Sequence, residues 1–316
     1  MPIVPATHGA IRRAAAALAR GEIVAFPTET VYGLGANALD ARAVARVFAA
    51  KERPRFNPLI VHVPGIAEAE EYGLLNDTAR RLAEAFWPGP LSLVLKRRST
   101  CGIADLVSAG LDTIALRAPA HPIAQGLLAA AKLPIAAPSA NRSGRVSPTT
   151  AAHVEAELGT LPAAILDGGP CQLGIESTVV SVVGDAPALL RPGALAREAI
   201  ELVLGAPLAA AKVDESVSSP GQFASHYAPE TAIRLNATSV GECEALLAFG
   251  REVPQGARVT FNLSETGNLE EAAARLFGAL RALDEKGAET IAVMPIPAHG
   301  LGEAINDRLR RAANRG

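Results

Sequence analysis

Between residues 26 and 63 the chain reads FPTETVYGLGANALDARAVARVFAAKERPRFNPLIVHV, and its hydrophobic period changes twice. Residues 23–26 form a short apolar run stopped by Pro27, the pattern of a buried strand. Thr28, Glu29 and Thr30 set hydroxyls and a carboxylate at its end, and Gly33 with Gly35 predicts a turn. Val44, Val47 and Phe48 then recur at helical spacing. Asp40 stands where its carboxylate can accept from the unpaired amides of a first helical turn. Pro54 stops the winding. Residues 59–63 return to period two, with Ile60 and His62 on one face and Leu59, Val61 and Val63 on the other. Such a unit confines the chain to folds that layer helices on a sheet.

Lys51, Arg53 and Arg55 crowd the end of this helix, just ahead of Asn57-Pro58. A single cation there would only complement the helix dipole. Three beside a polar turn point to an anion site, foremost for phosphates. A lone strand histidine such as His62 is more often a structural hydrogen-bonder than a ligand, and periodicity alone leaves its role open. Further on, APSANRSG follows a strand at 134–137 and carries Ser139, Asn141 and Ser143. Ser147-Pro148 after it has the chemistry of a helix start. Such a loop can present amides and hydroxyls to phosphate oxygens.

Rival motifs are weak. GLGANA fits a loose dinucleotide pattern, but the helix is expected after Asp40 rather than inside the glycines. No P-loop and no G-x-S-x-G elbow occurs. Asp167 and Glu176 could suggest acid–base work, yet an Asp before two glycines is ordinary turn chemistry.

At 316 residues the chain has room for about two domains. Hydrophobic residues make up 49% and aromatics only 4%, so the core should be aliphatic. A net charge of −2 lacks the basic surplus of a protein that grips nucleic acid, which favours a small anionic substrate. Cys101, Cys171 and Cys243 lie far apart, with neither metal-ligand spacing nor a disulfide framework, as suits a reducing cytoplasm. Residues 1–22 read as an amphipathic helix rather than a signal peptide. No apolar run approaches the ~20 residues of a membrane span.

Helices are predicted at 9–20 and 66–86, with a WPGP corner before a strand at 91–95. A strand at 113–117 places Thr113, Ala115 and Arg117 on one face, and His121-Pro122 opens a helix to about residue 131. Strands follow near 179–183 and 189–191. Residues 1–205 should therefore form an α/β domain with a large twisted mixed sheet. Residues 206–230 are linker-like, but SPGQFASHYAP carries Phe223, His226 and Tyr227, which either dock the next domain or form a lid over the cleft. Residues 231–316 alternate again: strand 232–235, helix 239–249, strand 259–263, helix 269–286 capped by Asn268, strand 291–295 and helix 303–313. That pattern suggests a small Rossmann-like domain.

PTETVYGLGANA followed by AAKERPRFNPLIVHV resembles the signature of the YrdC-like threonylcarbamoyl-AMP synthases, and the pairing of Lys51-x-Arg53 with Ser139-x-Asn141 matches it too. The closing GLGEAINDRLRRAA resembles the family's long form with a C-terminal domain. The resemblance implies a nucleotidyltransferase that makes L-threonylcarbamoyladenylate from L-threonine, bicarbonate or CO2, and ATP, releasing pyrophosphate. The product would pass to the machinery that modifies the tRNA adenosine beside the anticodon, without a need for direct tRNA binding. By the same resemblance Lys51 and Arg53 are catalytic and bind ATP with Asn57, Thr113, Ser139, Asn141, Ser147 and Arg191, and the lid brings His226 and Tyr227. Thr30, His62, Arg117, Ser177 and the Ala137 backbone would hold threonine. Mg2+ is expected to arrive with ATP rather than in a protein cage, and no tightly bound organic cofactor is expected. Two alternatives are a carbamoyl-transfer maturation factor, whose acylphosphatase segment and paired-cysteine zinc motifs are missing here, and an RNA-binding module.

Overall fold

The computed structural model describes residues 3–54, 56–210 and 226–314. Arg55, Phe223 and most of the expected tether lie outside the described residues. A twelve-stranded mixed sheet forms the first unit. Its strands run in the order Ile3–Pro5, Ala164–Asp167, Val24–Phe26, Gly33–Asn37, Ile135–Ala136, Ile60–His62, Thr113–Arg117, Leu91–Arg97, Thr178–Ser181, Ala188–Arg191 and Ala209–Ala210. Gly73–Leu74 adds to Leu91–Arg97 from the side. Helix Ala41–Lys51 starts as expected, with Asp40 Oδ1 accepting from Arg42 N at 2.8 Å. It buries Ala43, Val44, Val47 and Phe48 against the sheet.

Several local expectations fail for identifiable reasons. Gly33 and Gly35 are not a turn but lie in the strand Gly33–Asn37, antiparallel to Val24–Phe26. A Cβ on Gly35 would sit 2.8 Å from both the Phe26 ring and Ile135 Cγ2, so glycine is needed there for close approach. The expected helix 66–86 is two helices, Ile66–Ala69 and Asp77–Phe86, split by the strand Gly73–Leu74. Asn76 starts the second, its side chain accepting from Ala79 N at 2.8 Å. Ser147 caps nothing: Thr150 is the N-cap of Ala151–Leu158. Residues 3–5, read as part of a helical start, form a strand, and Ala209–Ala210 extends the sheet into the stretch read as linker. Trp87 is packing, its indole donating to Leu91 O at 2.7 Å.

The second unit is a four-stranded parallel sheet in the order Ala232–Arg234, Thr290–Val293, Glu244–Ala248, Val259–Asn262. Helices Leu269–Asp284 and Leu301–Ala313 accompany it. The helix expected at 239–249 is instead the strand Glu244–Ala248. Ala245 and Leu247 enter one apolar cluster, Leu246 and Ala248 another. A strand buried on both faces has no alternation to betray it. The two units share a core: Val31, Val146 and Ile175 of the first pack with the helices of the second. Gly174, at φ +64°, permits this docking, since a Cβ there would lie 2.3 Å from Ala274 O. No described helix is long and apolar enough to cross a membrane.

Candidate active site

Alternation along the strands divides the large sheet into two faces. Val61, Leu93, Leu116 and Val180 enter the main apolar core. Ile60, Val94, Ala115 and Val179 form a small apolar patch on the opposite face. Beside that patch His62, Arg117 and Ser177 line a cleft together with Thr30, Ala137 and Ser139. Arg53 and Arg191 also line it, as do His226 and Tyr227.

One side-chain group surrounds Arg117. Its guanidinium donates to Glu29 Oε1 at 2.6 Å, Thr30 Oγ1 at 3.0 Å and Gly89 O at 3.2 Å. One N–H on each terminal nitrogen is thus left for a ligand. Glu29 is engaged on both oxygens, the second accepting from Ala120 N at 3.1 Å. His62 stands edge-on to Phe26, and burial together with the Arg117 charge pushes it down to about 3, so it is neutral. Its Nδ1 is buried without a partner among the described residues. A buried polar atom left open in a cleft is a position a ligand can satisfy. Ser177 shares a 2.8 Å hydrogen bond with Ser92.

The other group is cationic. Lys51 reaches across the fold and donates to Ser139 O at 2.5 Å and to Asn141 O. The two motifs, far apart in sequence, thereby meet. Burial and the neighbouring Arg53 lower the Lys51 ammonium well below its ordinary range. Arg53 donates to Asn57 O at 3.2 Å and Pro58 O at 2.9 Å, and burial pulls it down to about 9, still charged at neutral pH. Arg191 donates to Ser177 O at 2.7 Å and Ser177 Oγ at 3.2 Å. His226 is held neutral by burial and by the charges of Arg53 and Lys51. Tyr227, at φ 64°, is 1% exposed and stacks on Phe277 of the second unit at 5.7 Å. Tyr227 thus docks on the second unit while it and His226 also line the cleft.

Of the expected site residues, Lys51, Asn57, Asn141 and Ser147 are buried just behind the lining rather than in it. Thr113 stands apart, half-buried at the far end of its strand and roughly 13 Å along from Arg117. Sequence reasoning missed Glu176 as part of the site. It lines the cleft, accepts from Ser147 Oγ at 2.5 Å and from Arg308 Nε at 2.8 Å. Burial alone would raise its carboxyl, but Arg308 and Arg191 outweigh that and keep it ionised. Arg308, in the second unit, was legible only as part of a C-terminal motif. It is fully buried and lies 5.0 Å from the Tyr227 ring centre. Among the described residues no cluster of His, Cys, Asp or Glu suits a metal.

Comparison with known proteins agrees with this architecture. A family model described as "Telomere recombination" (Sua5, YciO, YrdC) matches residues 16–193. A second, described as "Threonylcarbamoyl-AMP synthase, C-terminal domain", matches 195–314. The chain is 42% identical to the threonylcarbamoyl-AMP synthase of Bacillus subtilis, over 96% of this chain and 92% of that protein. It is 41% identical to that of Pyrococcus abyssi, over 96% and 94%. The crystal structure of P. abyssi Sua5 complexed with L-threonine superposes with a TM-score of 0.90 at 38% identity, covering 99% of this chain and 96% of that one. With both of its units matched in order and nearly its whole length aligned, the chain belongs to the threonylcarbamoyl-AMP synthase family.

Proposed function

We propose that this enzyme condenses L-threonine, bicarbonate or CO2, and MgATP into L-threonylcarbamoyladenylate and pyrophosphate, in the cytoplasm, for threonylcarbamoylation of the tRNA adenosine beside the anticodon. The observation that carries it is a single cleft with two chemistries: open N–H groups and an orphaned neutral histidine around Arg117, and the cations Arg53 and Arg191 backed by Lys51. The first suits a small hydroxylated amino acid. The second suits a polyphosphate.

In this reading Arg117 meets threonine's carboxylate with its remaining N–H groups, since a guanidinium fork fixes orientation as well as charge. Thr30, His62, Ser177 and the Ala137 backbone serve its other polar groups. Threonine's amine takes up CO2 as a carbamate. A carbamate oxygen then attacks the α-phosphorus of ATP, and the bond to the β-phosphate bridging oxygen breaks as pyrophosphate leaves. No covalent enzyme intermediate is required. Lys51, Arg53, Asn57, Ser139, Asn141, Ser147 and Arg191 hold the nucleotide, and their charges offset those of the phosphates, the main lever in such transfers. Thr113 faces the same side of the sheet and serves the far end of the nucleotide. The metal travels with ATP as part of the substrate. His226 and Tyr227 close the cleft and keep water from the labile carbamate and adenylate.

Pyrophosphate release should require threonine, bicarbonate and ATP together, with the adenylate identified by mass. Release that persists without threonine refutes the assignment.

A further inference from the structure

The end of the linker and the second unit meet the loop behind the cationic wall directly at residues 144–146, and at Ser147 through Glu176. Gly144 O accepts from Ala228 N at 2.8 Å, where the linker returns. Arg145 pairs with Glu230 at 2.7 Å. Val146 O accepts from Arg281 of helix Leu269–Asp284, and Arg281 also holds Glu157 at 2.9 Å. Ser147 donates to Glu176, which Arg308 of the last helix clamps at 2.8 Å. Arg308 is held in turn by Asp307 at 2.6 Å and Pro192 O at 3.0 Å. The loop connects forward to Asn141, whose amide nitrogen donates to Arg142 O at 2.8 Å and Arg145 O at 2.9 Å. Asn141 O in turn accepts from Lys51. A displacement of residues 144–147 is therefore transmitted to Asn141 and Lys51.

We propose that the C-terminal domain is a positioning element for the nucleotide site, with Arg281 and Arg308 as positioning residues that hold the 144–147 loop in its phosphate-facing shape. This rests on reading that loop and Lys51 as the phosphate site. The contacts involve charged donors on backbone and carboxylate acceptors, which are directional and strong when buried. Mere docking would need no such convergence. The pair Arg197–Glu303, at 2.5 Å, also spans the two units but touches no loop residue, and so supplies the comparison.

The test uses the full-length enzyme. Arg281→Met should raise the KM for ATP at least fivefold while threonine Kd, measured by calorimetry, changes less than twofold. Arg281→Lys should recover part of the loss. Arg308→Met strands the buried Glu176 carboxylate and endangers folding, so the double variant Arg308→Met with Glu176→Gln is compared with Glu176→Gln alone. The double variant should carry the larger ATP defect. Arg197→Met should lower Tm yet leave the KM for ATP within twofold. If Arg281→Met and Arg197→Met lower Tm alike and neither moves the KM for ATP, the domain only docks and the proposal is wrong. Equal changes in ATP and threonine binding refute it as well. Lys51→Ala separates the levels: an unchanged KM for ATP there overturns the phosphate reading and this inference with it. A raised KM there beside an unaffected Arg281→Met overturns this inference alone.

Discussion

Glu29→Gln offers a stringent probe of the threonine end of the cleft. Glu29 and Arg117 are 5% and 4% exposed and meet at 2.6 Å, so each is the other's main compensation for lost hydration. Removing one member of a buried pair costs about 3–5 kcal/mol, because the partner charge is stranded. Gln keeps the shape and an acceptor for Ala120 N, which places the loss near the low end, about 3 kcal/mol. At about 2–4 °C per kcal/mol for a domain of this size, Tm should fall by roughly 6–12 °C. The substrate should then become the missing anion. If Arg117 receives threonine's carboxylate, saturating threonine must raise Tm more in Glu29→Gln than in the parent enzyme, since a ligand stabilises by its preference for the folded state. Thermal unfolding with and without threonine reads both effects. A Tm within 2 °C of the parent contradicts the buried-pair reasoning, and a threonine response no larger than the parent's contradicts the role of Arg117.

Three further outcomes follow from the site. Burial and Arg53 depress Lys51 in the free enzyme, and phosphate opposes that shift by favouring the ammonium, so ATP binding should be linked to proton uptake and weaken as pH rises. Calorimetry in buffers of different ionisation heat checks this, and heats independent of buffer refute it. His62, moved from 6.5 to about 3, contributes stability that is complete above its unfolded value and is lost as pH falls below it. That loss is about 1.4 kcal/mol one unit below the unfolded value, and denaturant titrations of His62→Gln should lack it; an unchanged pH slope in the variant sinks the account. Valine should be rejected far more strongly than serine, because it leaves a buried polar partner unpaired, whereas serine forfeits only a methyl, about 1 kcal/mol. Comparable rates with valine and threonine would show that nothing in the pocket reads the hydroxyl.

Legibility in the sequence tracked the range of the interactions. Asp40, Asn268 and His121 announced their helices because a cap acts within three residues of itself. The alternation of Ile60 and His62 against Val61 gave the cleft face correctly, since period two is a local property. The Gly33–Asn37 strand was hidden because its glycines answer to Phe26 and Ile135, contacts that exist only after folding. Glu244–Ala248 was hidden because burial on both faces erases the period. Glu176 looked like one acidic residue near a turn. Its significance comes from Arg308, 132 residues later, and no pattern in a single sequence links the two.

The charges of the cleft explain why the long-range contacts matter most. Among the described residues the buried cations Lys51, Arg53, Arg191 and Arg308 outnumber the carboxylates that act on them, Glu176 and Asp307 with Glu157 beside Lys51. Adding a proton to His226 would deepen that excess, and the same cations keep it neutral. A buried surplus of positive charge is costly without an anion and favourable with one. The arrangement is tolerable in the free enzyme because Arg308 is neutralised outright and Lys51 spends its protons on backbone carbonyls. Of these cations, Arg53 and Arg191 are the ones that line the cleft, where phosphates can meet them. With Arg308 paired to Glu176 of the first unit and to Asp307 beside it, the C-terminal domain can brace the site without adding to the charge that the phosphates must meet.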